Sequence, residues 1–339
     1  MWLNTLWFVL YVVIIGGYVI LDGFDLGVGM LGPVVARSDM DKRILLNSIG
    51  PVWDGNEVWL VLGGGALFAA FPLVYASLFS GFYTAMMLVL LVLILRTVAI
   101  EFRSKRESAR WRATWDWFFT ASSLGITVLL GVALGNVIVG VPIDADGNMY
   151  VDLLHLLNPY SIAVGVTAVV MLSLHGGIFL TLKTDGELLE RITRLIPRLM
   201  AAFFVMMTVL VVWTLLLDNP ISDTYADRLW IGVFPVAALV ATLAAWRQIH
   251  RQLYLSAFLA SAATIGLLMA TVAAGLYPVL LPSSTDPAYD LTIHNAASAE
   301  PTLQVMTVIA VIGMPFVLLY TAGVYYFFRG KVVLDDESY

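Results

Sequence analysis

The chain has 339 residues, of which 60% are hydrophobic and only 12% charged, with a formal net charge of -6 and no cysteine. A soluble domain carries roughly 25% charged residues, so the natural solvent here is lipid, and the charge balance argues against a nucleic-acid ligand. Without cysteine there are no disulfides, thiolate metal sites, iron-sulfur clusters or thiol catalysis, and redox chemistry would need borrowed cofactors.

A bilayer core of about 30 Å calls for about 20 apolar residues in a helix. That ruler predicts an all-α, polytopic membrane protein forming a single membrane domain over residues 1–339. Its nine spans lie near residues 3–31, 51–71, 75–100, 115–139, 161–182, 199–217, 230–246, 253–281 and 303–328. The first opens on Met1-Trp2-Leu3-Asn4-Thr5, lacks a basic leader and is too long for a signal core, so it is expected to be retained. The connections leave room for short amphipathic helices only.

Orientation follows from where the bases fall. Loops after odd-numbered spans hold Arg37, Lys42 and Arg43, then Arg103 to Arg112, then Lys183 to Arg198, Arg247 with Arg251, and finally Arg329 with Lys331. Loops after even-numbered spans are acidic, with Asp144, Asp146 and Asp152, then Asp218, Asp223 and Asp227 beside Arg228, then Asp286, Asp290 and Glu300. The expectation is an outside N-terminus and a cytoplasmic C-terminus.

In the first span Asp22 and Asp25 lie three residues apart on one helix face, and Asp54 and Glu57 repeat that spacing early in the second. A carboxylate in the bilayer costs roughly 2.5 to 3.5 kcal/mol and demands a partner, a proton or a wet cavity. Helical rise puts all four acids in the inner leaflet. They read either as a proton entry path or as interface markers and caps. Arg96 and Glu101, at the inner end of the third span, are candidates for an ion pair with each other or with those acids. His175 is the only histidine within a span; a hydrogen-bonded packing role outweighs haem ligation, and no histidine pair has metal-ligand spacing. Gly23 with Gly27, and Gly131 with Gly135, read as close helix contacts, and Gly63-Gly64-Gly65 as packing rather than a phosphate cradle. Trp111, Trp115, Trp117 and Trp230 read as interfacial belts.

These residues also carry a resemblance. Asp22-Gly23-Phe24-Asp25, Asn47-Ser48-Ile49, Trp53-Asp54-Gly55-Asn56-Glu57-Val58-Trp59, Gly65 to Ala70, Phe79 to Tyr83, Arg103-Ser104-Lys105, Trp115-Asp116-Trp117, Leu157-Asn158-Pro159 and Pro282 to Thr285 are similar to subunit II of the cytochrome bd-type quinol oxidases. The resemblance implies two four-helix bundles plus one extra helix, in a bacterial cytoplasmic membrane. It also implies a companion subunit I bearing haem b and haem d, with quinol oxidised and dioxygen reduced to water. Subunit II binds no haem in that scheme; it supports its partner and delivers protons from the cytoplasm through positions matching Asp22, Asp25 and Asp54. Glu57 stands where some relatives carry an amide. A bound quinone and a small single-span subunit are left open. The competing reading is a proton-coupled secondary transporter, which would show two related halves; no second half echoes Asp22 to Glu57.

Overall fold

The computed structural model describes residues 1–217 and 219–334, so the predicted outer-loop acid Asp218 lies outside the described residues. In chain order the elements are α1 (Trp2–Val35), α2 (Asp39–Ile49), α3 (Trp53–Ala70), α4 (Pro72–Gly81), α5 (Tyr83–Phe102), α6 (Ala109–Val139), α7 (Leu153–Leu156), α8 (Pro159–Lys183), α9 (Gly186–Leu216), α10 (Pro220–Asp227), α11 (Val233–His250), α12 (Tyr254–Leu276), β1 (Val279–Leu281), β2 (Leu291–Thr292) and α13 (Glu300–Phe327). Among the described residues, eight helices are long and apolar enough to cross a membrane: α1, α5, α6, α8, α9, α11, α12 and α13. The predicted second span is α3, whose Asp54, Asn56 and Glu57 dilute its apolar character.

Three span boundaries are corrected, the sixth because its helix, α9, begins at Gly186 and takes in most of the basic loop expected before residue 199. The predicted third span, near 75–100, is broken at Phe82 into α4 and α5, where Gly81 lies directly against the Met149 side chain. The predicted eighth span, near 253–281, stops at Leu276, because Pro278 has no N–H to continue a helix; residues 279–281 instead pair antiparallel with β2.

Helix α1 is the hub. It packs on α3, α6, α8 and α12, and α5 closes on α6 while α9 joins α8 and α11 joins α12. Two groups of four helices, α1, α3, α5, α6 and α8, α9, α11, α12, therefore meet along α1, α6 and α8. Asp22 to Gly29 is buried on every side, as expected of a helix at the centre of a bundle. Close approach to α8 depends on Gly27, where an added Cβ would run into the Leu172 carbonyl and come within 2.9 Å of the Gly176 Cα. Helix α13 stands at the edge, touching α1 and α3, with Leu303 its one buried residue.

The ends of the bundle differ in charge. At one end α2 starts from a capping box in which the Ser38 hydroxyl accepts from the Asp41 N–H and the Asp41 carboxylate accepts from the Ser38 N–H. Arg191 of α9 donates to Asp41 at 2.7 Å and to the Val35 carbonyl at 2.9 Å, and Lys331 donates to the Thr181 carbonyl at 2.8 Å. These residues come from loops predicted to share one side, and the basic loops do gather there. At the opposite end, the segment around Val141 bonds to Pro282 and Ser284. The Ser298 N–H and hydroxyl donate to the last carbonyls of α3, at Ala70 and Ala69.

Candidate functional site

The site forms where three helices cross near the basic end. Arg96 of α5 is fully buried and donates both terminal nitrogens to Asp22 of α1, at 2.8 and 2.5 Å. Pairing both terminal nitrogens with the two carboxylate oxygens is the fork-to-fork arrangement that makes such bonds strong. The same guanidinium stands 4.0 Å from the Asp25 carboxylate and 3.6 Å from the Glu57 carboxylate of α3. Their three-residue spacing puts Asp22 and Asp25 on one face of α1. Glu57 reaches the same point because it lies only about 6 Å along α3 from the helix start.

Asp25 is held on its other side by an amide. Asn56 of α3, buried, donates from Nδ2 to Asp25 at 2.8 Å and to the Leu21 carbonyl at 3.2 Å. Its Oδ1 accepts from the Tyr325 hydroxyl of α13 at 2.9 Å. Those three contacts fix which end of the amide is which, since the hydroxyl proton must meet an oxygen and the two acceptors must meet the NH2. Four buried polar atoms in the cluster have no hydrogen-bond partner: Tyr18 Oη, Asp25 Oδ1, Glu57 Oε2 and Arg96 Nε. Such atoms normally mark a place for water or for a group that changes its protonation.

Charge counting sharpens this. Three carboxylates surround one guanidinium, so the fully ionised cluster would carry two uncompensated negative charges inside the protein. Each unpaired buried ion costs several kcal/mol. Arg96 is committed to Asp22 by two hydrogen bonds, while Asp25 and Glu57 face the same guanidinium at longer range.

Other predicted residues sit differently. Asp54 is exposed, one turn before Glu57 on α3, on the outer surface of the chain. Glu101 is partly exposed, five residues beyond Arg96 on α5. His175 is buried, with Nε2 donating to the Ile20 carbonyl at 3.0 Å, Nδ1 2.7 Å from the Ser261 hydroxyl, and its ring stacked on Phe258 at 5.0 Å. Both ring nitrogens are thus engaged within the protein, in the hydrogen-bonded packing role expected of this residue. Asn56 and Tyr325 were not among the predicted site residues. Asn56 was detectable as a buried amide in a span, but no sequence spacing connects Tyr325 to acids some 300 positions upstream.

Residues 3–328 match the family described as cytochrome bd terminal oxidase subunit II. The chain is 36% identical to the cytochrome bd-I ubiquinol oxidase subunit 2 of Escherichia coli strain K12, covering 98% of this chain and 96% of that protein. It is 37% identical to the cytochrome bd ubiquinol oxidase subunit 2 of Bacillus subtilis strain 168, covering 97% of each. Its fold is similar to a chain in the structure of bd oxidase from Geobacillus thermodenitrificans, with a TM-score of 0.80 over 97% of this chain and 99% of that one, at 19% identity.

Proposed function

The chain belongs to the cytochrome bd terminal oxidase subunit II family, and from that premise we propose that it conducts protons from the cytoplasmic side of the membrane to a haem-bearing companion that oxidises quinol and reduces dioxygen. The observation that carries this reading is the excess of buried carboxylates over guanidinium at Asp22, Asp25, Glu57 and Arg96. The haems b and d of the companion supply electron transfer and dioxygen chemistry. In this reading the haems belong to the companion and this chain contributes none.

In this scheme the basic end faces the cytoplasm, because basic loops are retained on that side; this leaves the C-terminus inside and the N-terminus outside. Asp54, exposed in the first turn of α3, collects protons, and Glu57, one turn further in, receives them. Arg96 holds Asp22 as a fixed anion. Asp25, oriented by Asn56, is the inner store. Protons drawn from inside for water formation, with quinol protons released outside, separate charge across the membrane without a pump.

In this reading the companion docks on one face of α3. Asp54, Val58, Val61, Gly65 and Phe68 are all exposed and follow a four-three-four-three spacing along α3, which places them in one stripe, as on the seam of a paired helix. A carboxylate on a lipid-facing stripe is expensive. Covering by the companion removes that cost and places Asp54 and Glu57 beside the subunit that consumes the protons.

The test uses the purified two-subunit oxidase. Asp25→Asn and Glu57→Gln should each leave haem content intact while slowing turnover by roughly 100-fold, the lower end for loss of one proton-transfer group. Full turnover in the double variant, with unchanged proton uptake in vesicles, would reduce the cluster to a structural role.

A further inference from the structure

A second feature lies at the basic end, away from the acid cluster. A cavity of about 220 Å³ opens between α1, α2 and α6. Its inner wall is apolar, made by Val28, Leu45, Leu46 and Phe119, all buried. Its mouth carries Trp117, 64% exposed, and Lys42. An apolar cavity of about 150 Å³ is large enough to take up benzene, so this one accepts a length of hydrocarbon chain.

The two charged residues that line the cavity, Lys42 and Asp116, belong to a network of ion pairs that extends beside it. Lys42 donates to Asp116 at 2.9 Å, Arg103 donates to the same carboxylate at 2.5 Å and to Asp39 at 2.7 Å, and Arg112 donates to Asp39 at 2.9 Å. Partial burial pushes the Asp39 carboxyl up, and the hydrogen bond from Arg103 with the charges of Arg103 and Arg112 brings it net below its ordinary value. Even with both carboxylates ionised, three cations meet two anions. Arg103 Nη1 and Arg112 Nε are buried without a hydrogen-bond partner. Asp116 is the one carboxylate on the cavity wall, and both its oxygens are already bound to cations. The Lys42 ammonium, with its side chain 37% exposed, keeps donors free for a further anion.

We infer that this cavity is a binding site for an anionic diacyl phospholipid, one acyl chain lying in the Val28–Leu46–Phe119 cleft and the phosphate meeting Lys42. A hydrocarbon pocket, an exposed tryptophan and an adjoining ion-pair network with one more cation than anions meet here, the combination by which helices at the cytoplasmic face select anionic headgroups. Neither component alone would choose such a lipid. A zwitterionic lipid would fill the cleft without answering the charge, and free phosphate would answer the charge without filling the cleft. The inference does not depend on the proton path.

Native mass spectrometry of the intact two-subunit complex, delipidated in detergent and titrated with phosphatidylglycerol or phosphatidylcholine, tests it. Lys42→Ala should weaken phosphatidylglycerol retention about fivefold, the effect of one basic residue at a membrane surface, and leave phosphatidylcholine unchanged. Lys42→Arg should restore it. Leu46→Trp, which fills the cleft and leaves the charges in place, should displace both lipids, and a thermal melt of each variant reports whether the chain is folded. Unaltered phosphatidylglycerol binding in folded Lys42→Ala and Leu46→Trp proteins would overturn the site. So would equal affinity for the two lipids, or displacement of the lipid by inorganic phosphate.

Discussion

At Arg96 one guanidinium faces three carboxylates, and the two sides of that imbalance respond differently to mutation. Removing one partner of a buried pair strands the other charge and typically costs about 3 to 5 kcal/mol. Arg96→Gln strands three acids together, so it should cost at least that much, and the complex should melt at a markedly lower temperature or fail to accumulate. Asp22→Asn is milder. It removes one excess charge, lets the amide oxygen accept one of the two former bonds, and leaves Arg96 with Glu57 at 3.6 Å and Asp25 at 4.0 Å. Thermal unfolding of the purified variants should rank wild type above Asp22→Asn and Asp22→Asn well above Arg96→Gln; the reverse order would mean that Asp22 alone stabilises the guanidinium. The acids were legible in the sequence because charged residues in a span have few innocent explanations. The amide and the phenol that complete the cluster were not. Asn56 and Tyr325 are polar groups whose meaning comes only from what they touch, and their contact joins elements at opposite ends of the chain.

The elements show the same division between what local chemistry dictates and what packing decides. Pro33 lies inside α1 and has no N–H for the carbonyl four residues back, at Gly29. The Thr120 hydroxyl of α6 donates to that carbonyl at 3.0 Å. A side chain from a neighbouring helix thus replaces the missing backbone bond, and α1 continues to Val35. Thr120→Val should leave the Gly29 carbonyl buried without a donor and cost about 1 to 3 kcal/mol. In a Pro33→Ala background the restored N–H takes over, and the same substitution should cost much less. A double-mutant cycle on thermal stability reads the difference directly, and equal losses in both backgrounds would remove Thr120 from this role. The proline was visible in the sequence and its compensation was not. Long apolar spans such as α6 and α8 were likewise plain, because twenty apolar residues leave few alternatives. The break at Phe82 and the strand at 279–281 escaped the hydropathy ruler, because both segments are apolar and only a loop packed on Gly81, or a proline, ends the helix.

On the scale of the molecule, the sorting of charge and the open stripe of α3 belong together. Basic side chains cluster at one end, where the 103–112 segment and α9 both bond to α2 and the chain after α13 bonds to α8. The buried acids begin close to that end. Asp54, the entry point in the proposed path, lies on a surface that the chain alone leaves uncovered. Gly65, near the middle of the same stripe, has no atom within 4 Å of the position a Cβ would occupy. Within this chain a larger side chain there therefore meets nothing, whereas a companion helix packed along the stripe would be pushed away, since small residues set how closely membrane helices approach. Gly65→Leu should leave the isolated chain as stable as wild type in a thermal melt and sharply reduce the haem that co-purifies with it. Gly27→Leu, aimed at the backbone of α8, should destabilise the chain itself. If Gly65→Leu retains full haem, the companion docks elsewhere, and Asp54 cannot then open the path toward it.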